Sequence, residues 1–175
     1  MEFASFESGL DGWVARAADA GPWAATRTRV YARDGDWSVQ LSGSNTTDYT
    51  KLWLQRTLSV RPNTMYAVRL EYAFCCVSYE SSEPNAFFYV ADVRPQPAPS
   101  ADPPFQFYLW SQVPDDSSAI AIPGSGAMWR YKRFRLASRS ASDGRLYVSV
   151  GLRYAFESTF SYFLDSVRLT IAPQT

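Results

Sequence analysis

Histidine is absent from all 175 residues, and its absence removes most familiar catalytic sites. A Ser-His-Asp triad, a Cys-His dyad, an imidazole-ligated zinc site and a histidine general base all need the missing side chain. The remaining carboxylate pairs, Glu80 with Glu83 and Asp115 with Asp116, lie in the polar stretches SYESSEPN and VPDDSS. Solvated loop charge is the ordinary role of acidic residues in such stretches. We therefore predict that the chain is not an enzyme.

Cysteine is nearly absent as well, since the chain has only the adjacent pair Cys75 and Cys76. Neighbouring side chains in a strand point to opposite faces, so these two thiols could bond only through a strained ring. Two buried thiols are the expected state, although a vicinal disulfide stays open.

No excess of either charge is present, because 17 basic residues balance 17 acidic ones. Nothing therefore suggests the basic surface that holds nucleic acid or an anionic membrane, and we expect neither partner. Lysine is limited to Lys51 and Lys132, so the basic residues are almost all arginine. That bias is typical of a GC-rich genome and also of sites that make planar, bidentate contacts. The sequence also lacks a signal-like N-terminal stretch and any apolar run of about 20 residues, which would span a bilayer.

What the chain does have is apolar and aromatic content, at 46% and 16% of its residues. This composition predicts a packed globular protein, and the length suits one domain over 1–175. The stretch RPQPAPSADPP predicts a Pro-rich loop insertion around 94–104.

Alternation of apolar and polar residues is the main structural signal, whereas helical periodicity is almost missing. Three runs predict strands with one buried face, at 51–60, 65–74 and 145–156. Their apolar faces are Leu52, Leu54 and Leu58, then Tyr66, Val68, Leu70, Tyr72 and Phe74, then Leu146, Val148, Val150, Leu152, Tyr154 and Phe156. Weaker candidates are 37–42, 86–93, 105–110 and 130–137. We predict an all-β fold, with two antiparallel sheets packed as a sandwich or jelly roll.

One acidic residue interrupts this pattern in the stretch SYFLDSVRLT at 161–170. Strict alternation places Asp165 on the same face as Phe163, Val167, Leu169 and Ile171, which is otherwise apolar. A buried carboxylate is costly unless it is paired, hydrogen-bonded or bound to a metal. A partner for Asp165 is therefore expected elsewhere in the chain.

Five phrases in order resemble the β-jelly-roll carbohydrate-binding modules of the galactose-binding-like superfamily. They are FESGLDGW at 6–13, ARDGDWSVQLSG at 32–43, LQRTLSVRPNTMYAVRLEYAF at 54–74, MWRYKRFRL at 128–136 and FLDSVRL at 163–169. The resemblance covers roughly 6–74 and 128–171, and leaves 75–127 without a match. It implies a jelly roll in which Trp13 and Trp129 pack in the interior.

The resemblance also implies a structural calcium ion, held by Glu7, Asp165 and main-chain carbonyls near Gly35 and Ser38. Calcium takes six to eight oxygen ligands and would tie the first and last strands together. The alternative is that Asp165 pairs with an arginine or accepts hydrogen bonds from nearby amides. Ser166 stands where the family pattern has a second aspartate.

In such modules glycans lie on an outer sheet face or a loop rim, where aromatic rings stack on sugars and polar groups bind hydroxyls. The candidates opposite the core are Trp53, Gln55, Arg69 and Glu71. The unmatched middle of the chain adds Phe87, Tyr89, Tyr108 and Trp110. The alternatives are that these aromatics fill a core or that loop 94–127 covers the face.

Two functions follow from the resemblance and the composition. The first is a noncatalytic carbohydrate-binding module, extracellular if it belongs to a secreted enzyme, whose partner is a polysaccharide or glycan. The second is a virion structural protein, such as a phage capsid-decoration or tail component, that uses the same fold to dock on capsid or tail subunits.

Overall fold

A computed structural model describes residues 2–44, 49–76, 87–99, 103, 105, 107–109, 120–125, 127–155 and 159–174. These residues form twelve strands and no helix, so the predicted all-β class is confirmed. The strands are β1 Glu2–Ala4, β2 Val14–Ala18, β3 Trp23–Thr28, β4 Ser38–Ser44, β5 Thr50–Ser59, β6 Met65–Cys76, β7 Phe87–Arg94, β8 Phe107–Leu109, β9 Ile120–Ala121, β10 Met128–Arg139, β11 Arg145–Tyr154 and β12 Thr159–Pro173. A helix with the length and apolarity needed to cross a membrane is not found in the described part of the chain.

The strands form two antiparallel sheets that face each other. Sheet A has seven strands in the order β3-β4-β12-β6-β10-β9, with β1 also paired to β12. Sheet B has five strands in the order β2-β5-β11-β7-β8. The consecutive strands β5 and β6 thus belong to different sheets, which places the outward side chains of each on opposite surfaces of the sandwich.

Period-two alternation explains the core between the sheets, as predicted. The apolar faces predicted for β5, β6 and β11 all lie in one buried cluster, which also includes Trp13, Val39 and Phe134. Apolar side chains from both inner faces pack together there, which is how an antiparallel sandwich buries its surface. Phe156 lies outside the described residues.

Several strands differ from the predictions in extent or were not predicted. The strands β6 and β10 continue to Cys76 and Arg139, beyond their predicted ends. The short strands β1, β2, β3 and β9 were missed, because sequences such as VARAA and WAATRT carry little alternation between apolar and polar residues. Their positions at sheet edges leave one side partly exposed and weaken the pattern further.

The interior of β12 corrects the predicted face of Asp165. A bulge lies between Asp165 and Arg168, where the pairing with β6 slips by one residue and Ser166 adopts a φ of 52°. A bulge shifts the alternation, so Val167 and Leu169 join the main core whereas Phe163 does not. Asp165 is buried, as expected, but it shares the outer face of sheet A with Phe163 rather than with Val167 and Leu169.

A second apolar cluster covers part of this outer face. It consists of Ala73, Cys75, Ala127, Trp129 and Phe163, with Tyr31 packed edge-on against Phe163 at 5.0 Å between ring centroids. Trp129 is therefore interior, as predicted, but it lies outside the main core that contains Trp13. Cys75 is buried in this cluster, and the side chain of Cys76 lies outside the described part.

Candidate functional site

An open groove of about 530 Å³ crosses the outer face of sheet A. We call it the arginine groove, and its lining residues are Phe3, Arg69, Glu71, Arg168 and Thr170. Strand register brings them together, because β6 pairs with β12 on one side and β1 extends the sheet beyond β12. Arg168 lies opposite Glu71 in this register, and Thr170 lies opposite Arg69. The bulge in β12 thus directs the charged side chain of Arg168 to the outer face of sheet A.

Glu71 organises the charges in this groove. Its carboxylate accepts hydrogen bonds from Arg69 Nε at 2.5 Å and from the Tyr131 hydroxyl at 3.0 Å. Arg133 Nε lies 3.6 Å from the same carboxylate. The Glu71 residue is only 7% exposed, so the cationic side chains stand above it at the surface. Burial and the hydrogen bond to Glu71 raise the pKa of Tyr131 to about 12, which keeps this hydroxyl a donor.

Phe3 and Arg168 form the other wall of the groove. The Arg168 guanidinium lies over the Phe3 ring, 5.3 Å from its centroid, a cation–π arrangement that orients both side chains. Phe3 is 46% exposed, so its ring remains accessible. Neither residue was predicted as a site residue. An aromatic residue close to the matched segment FESGLDGW could have pointed to Phe3 as a ligand residue. Arg168 could not be found in this way, because it faces outward only after the bulge in β12.

The predicted ligand residues divide between the two outer faces. Arg69 and Glu71 contact each other on sheet A, whereas Trp53 and Gln55 lie on the outer face of sheet B. Alternation correctly predicts that all four point away from the core. It does not predict that consecutive strands separate into two sheets, so the four residues do not form one site.

The ring of Trp53 is buried rather than presented as a platform. Trp53 is 1% exposed and contacts Phe105 edge-on, with 5.0 Å between ring centroids. Ala18, Val90 and the partly buried Ala98 complete this cluster. Ala98 and Phe105, from the predicted loop 94–127, therefore cover Trp53, as the alternative predicted, and the expected open aromatic surface at Trp53 is not present.

Next to the Trp53 cluster, a row of polar side chains crosses β5, β11 and β7 of sheet B. Ser149 is placed opposite Gln55 on one side and Asp92 on the other. Gln55 Nε2 and Ser149 Oγ are buried and find no hydrogen-bond partner among the described residues. Asp92 accepts a hydrogen bond from Arg94 Nε at 2.5 Å, and the Arg94 guanidinium lies 5.2 Å from the centroid of Phe105. Gln55 is thus in the predicted direction but closed off from solvent.

Tyr89 is the predicted ligand residue that the structure places in the core. It is fully buried and packs edge-on against Phe74, with 5.5 Å between ring centroids. The inward positions of β7 are 89, 91 and 93, so Tyr89 fills the core, which was the alternative for these aromatics. Tyr108 pairs in register with Tyr89, but its side chain lies outside the described residues, as do those of Phe87 and Trp110. The acidic pairs Glu80 with Glu83 and Asp115 with Asp116 also lie outside them.

Glu7 and Asp165 bind opposite ends of loop 33–37. Asp165 accepts hydrogen bonds from the main-chain amides of Arg33 at 2.7 Å, Asp34 at 3.0 Å and Ser166 at 2.6 Å. Glu7 Oε1 accepts hydrogen bonds from the amides of Asp36 at 3.1 Å and Trp37 at 2.9 Å. We call these five hydrogen bonds the carboxylate clasp. Burial raises the pKa of Asp165 to about 6, and the amide hydrogen bonds oppose that shift.

Gly35 and Ser38 adjoin the clasp. Gly35 has a φ of 71°, and a Cβ at this position would lie 2.5 Å from Glu7 Oε1. The Ser38 hydroxyl donates to the carbonyl of Tyr31. The loop therefore presents amide N–H groups to both carboxylates, which is the amide alternative described above.

Main-chain amides contact the two carboxylates that the resemblance assigns to calcium. Among the described residues, no three Asp, Glu, Cys or His side chains lie together as a metal-binding group. Calcium takes six to eight oxygens, and the oxygens of Asp165 already accept amide hydrogen bonds. Calcium binding stays an untested prediction of the resemblance.

Chelation distinguishes the clasp from a calcium site. Because main-chain amides already donate to both carboxylates, we expect excess chelator to leave the melting temperature unchanged. Asp165→Ala leaves three main-chain amides without their acceptor. It is expected to destabilise the fold by about 2 kcal/mol, with or without chelator. Differential scanning calorimetry measures both. A fall of several degrees on chelation that Asp165→Ala abolishes would instead establish the calcium site.

No protein-family model matches the chain, and no curated protein matches it. Solved structures do match. One of these structures is described as a carbohydrate-binding module of the β-sandwich superfamily. It matches with a TM-score of 0.51 at 14% sequence identity and covers 95% of this chain. This chain spans 60% of the length of that protein.

Two further matches cover nearly all of this chain. The CBM22-1 xylan-binding domain of Xyn10C from Paenibacillus barcinonensis has a TM-score of 0.51 at 17% identity, covering 99% of this chain and 95% of its own. Tailspike protein 4 of bacteriophage CBA120, in its enzymatically active domain, has a TM-score of 0.50 at 12% identity, covering 96% of this chain and 20% of its own. At these identities the likeness shows the fold. The chain has the β-sandwich fold of the carbohydrate-binding modules, as the sequence resemblance predicted.

Proposed function

We propose that the chain is a noncatalytic glycan-binding module and that the arginine groove is its binding surface. The observation that carries the proposal is the open groove of about 530 Å³ on sheet A, with an exposed aromatic ring beside polar side chains. Sugar recognition uses this combination, because a ring stacks on the sugar face while polar groups bind its hydroxyls. The outer face of sheet B offers less, since Trp53 and Gln55 are buried.

A noncatalytic role agrees with the described lining of the groove. Glycoside hydrolysis generally needs two carboxyl groups on either side of the bond. Among the described lining residues, Glu71 is the one acidic side chain, and it is engaged by Arg69 and Tyr131. The absence of histidine removes the imidazole general bases as well.

Binding to polysaccharides tests the proposal directly. Purified chain incubated with insoluble polysaccharides, and in parallel on a glycan array, is expected to be retained by at least one polysaccharide without releasing sugar. Arg69→Ala is expected to weaken retention about tenfold, because it removes a guanidinium from the groove wall. The matched control is Arg16→Ala, an exposed arginine on β2 of sheet B. The proposal is contradicted if both variants lose retention equally, or if no polysaccharide retains the parent chain.

A second candidate is a virion structural component, such as a capsid-decoration or tail protein. The likeness to the phage tailspike chain favours it, although that likeness extends to the fold alone. This function predicts tight, saturable binding to a particle or to capsid or tail subunits, together with no retention by polysaccharides.

A further inference from the structure

We infer that the arginine groove selects acidic glycans, whose sugars carry carboxylate or sulfate groups. This inference rests on the proposed function and names the chemical class of its ligand. It starts from the charge distribution on the outer face of sheet A.

The register concentrates positive charge on this face. Arg133, Glu71 and Arg168 form one row across β10, β6 and β12, and Arg135, Arg69 and Thr170 form the next. Among the described residues, these two rows hold four arginines and one glutamate, while the whole chain has a net charge of zero. A local excess of this kind attracts anionic ligands.

Glu71 orients the guanidinium groups without offering its own charge to a ligand. Both Nε and Nη2 of Arg69 lie 2.5 Å from Glu71 Oε1, while the Arg69 side chain is 56% exposed. A guanidinium has five N–H donors in a fixed plane, so Arg69 keeps donors on its exposed side. The second oxygen of Glu71 accepts from Tyr131.

Of the two arginines that line the groove, Arg168 is the less neutralised, because Arg69 pairs with Glu71. Its guanidinium stacks on Phe3, and no acidic side chain within the described ranges forms an ion pair with it. Guanidinium groups bind carboxylates and sulfates through paired N–H donors. Arg168 and Phe3 together therefore present a cation in contact with a half-exposed aromatic ring.

The groove lining favours a ligand group that only accepts hydrogen bonds over neutral sugar hydroxyls. Neutral sugar hydroxyls donate and accept hydrogen bonds, but arginine donates only. Of the lining side chains, Thr170 and Glu71 can accept, and Glu71 already does so from Arg69 and Tyr131. A carboxylate or sulfate, which only accepts, matches this donor-rich surface.

The experiment compares matched acidic and neutral polysaccharides. Affinity is measured by isothermal titration calorimetry, in chelator and at two salt concentrations, for polygalacturonate and its methyl ester and for dextran sulfate and dextran. We expect at least one acidic polymer to bind about tenfold or more tightly than its neutral partner, with affinity that falls as salt rises. Preference for polygalacturonate identifies carboxylate as the group, and preference for dextran sulfate identifies sulfate.

Reversing the charge of single arginines tests whether the preference for acidic polymers arises in the arginine groove. Arg168→Glu is expected to remove at least about tenfold of the affinity for the acidic polymer. Arg16→Glu changes the net charge equally on the opposite face and is expected to stay within about twofold. Melting curves confirm that both variants are folded. Equal binding of acidic and neutral polymers, or equal loss in both variants, overturns the inference while glycan binding stands. No retention of any polysaccharide overturns the proposed function itself.

Discussion

Trp53→Ala is expected to destabilise the protein rather than to weaken ligand binding. The ring is 1% exposed and packs against Phe105, which directly follows the Pro-rich segment, and lies in a cluster with Ala98 of that segment. Truncating a buried tryptophan generally costs about 3–5 kcal/mol, because the transfer free energy is lost and a cavity remains. For a chain of this size each kcal/mol lowers the melting temperature by about 2–4 °C. We therefore expect the melting temperature to fall by about 6–20 °C.

Two measurements on the same variant separate structure from binding. Thermal unfolding gives the loss of stability, and titration with the best-retained polysaccharide gives the affinity, which is expected to stay within about twofold. Trp53→Phe is the matched control, since it keeps a ring against Phe105 and should recover most of the stability. A large loss of affinity with an unchanged melting temperature would show that Trp53 is a ligand platform and that the Pro-rich segment does not cover it.

Gly151→Ala is expected to have a comparably large effect on stability. A Cβ at residue 151 would lie 2.2 Å from the carbonyl oxygen of Leu52 and 2.6 Å from the Cα of Trp53. Both are main-chain atoms of β5, so no flexible side chain can move aside, and the pair β5–β11 must separate. Overpacking of this kind costs about 3 kcal/mol.

The control for this variant lies two residues away on the same strand. Ser149→Ala removes a buried hydroxyl that has no hydrogen-bond partner among the described residues. Loss of such a group is expected to be neutral or slightly stabilising. Denaturant unfolding compares the two variants. If Gly151→Ala unfolds at the same denaturant concentration as the parent chain, β5 and β11 do not approach each other as closely as described.

The core and the fold class could be predicted from sequence because they depend on a local signal. Alternation along β6 and β11 places Leu70 and Val150 inward whichever strands become their neighbours. The same signal failed at Asp165, where one extra residue in a bulge shifts every later side chain of β12. No residue in FLDSVRL marks that bulge, since Ser166 adopts a positive φ without being glycine.

The candidate site was only partly predictable, because it depends on long-range pairing. Arg69 and Glu71 were predicted as outward residues, and the structure brings them into contact. Trp53 was predicted with them, but its strand joins the other sheet and the Pro-rich segment covers it. Sequence patterns give the direction of a side chain relative to its own strand. They do not give the sheet that the strand joins or the loop that covers it.

The central claim is that glycans bind to the outer face of sheet A, and chemical-shift mapping tests it most directly. Isotope-labelled chain is titrated with galacturonate oligomers while backbone amide resonances are followed. The account predicts that the largest shifts occur in β1, β6 and β12, near Phe3, Arg69 and Arg168, with little change around Trp53. Shifts confined to β5, β7 and β11 of sheet B would contradict it.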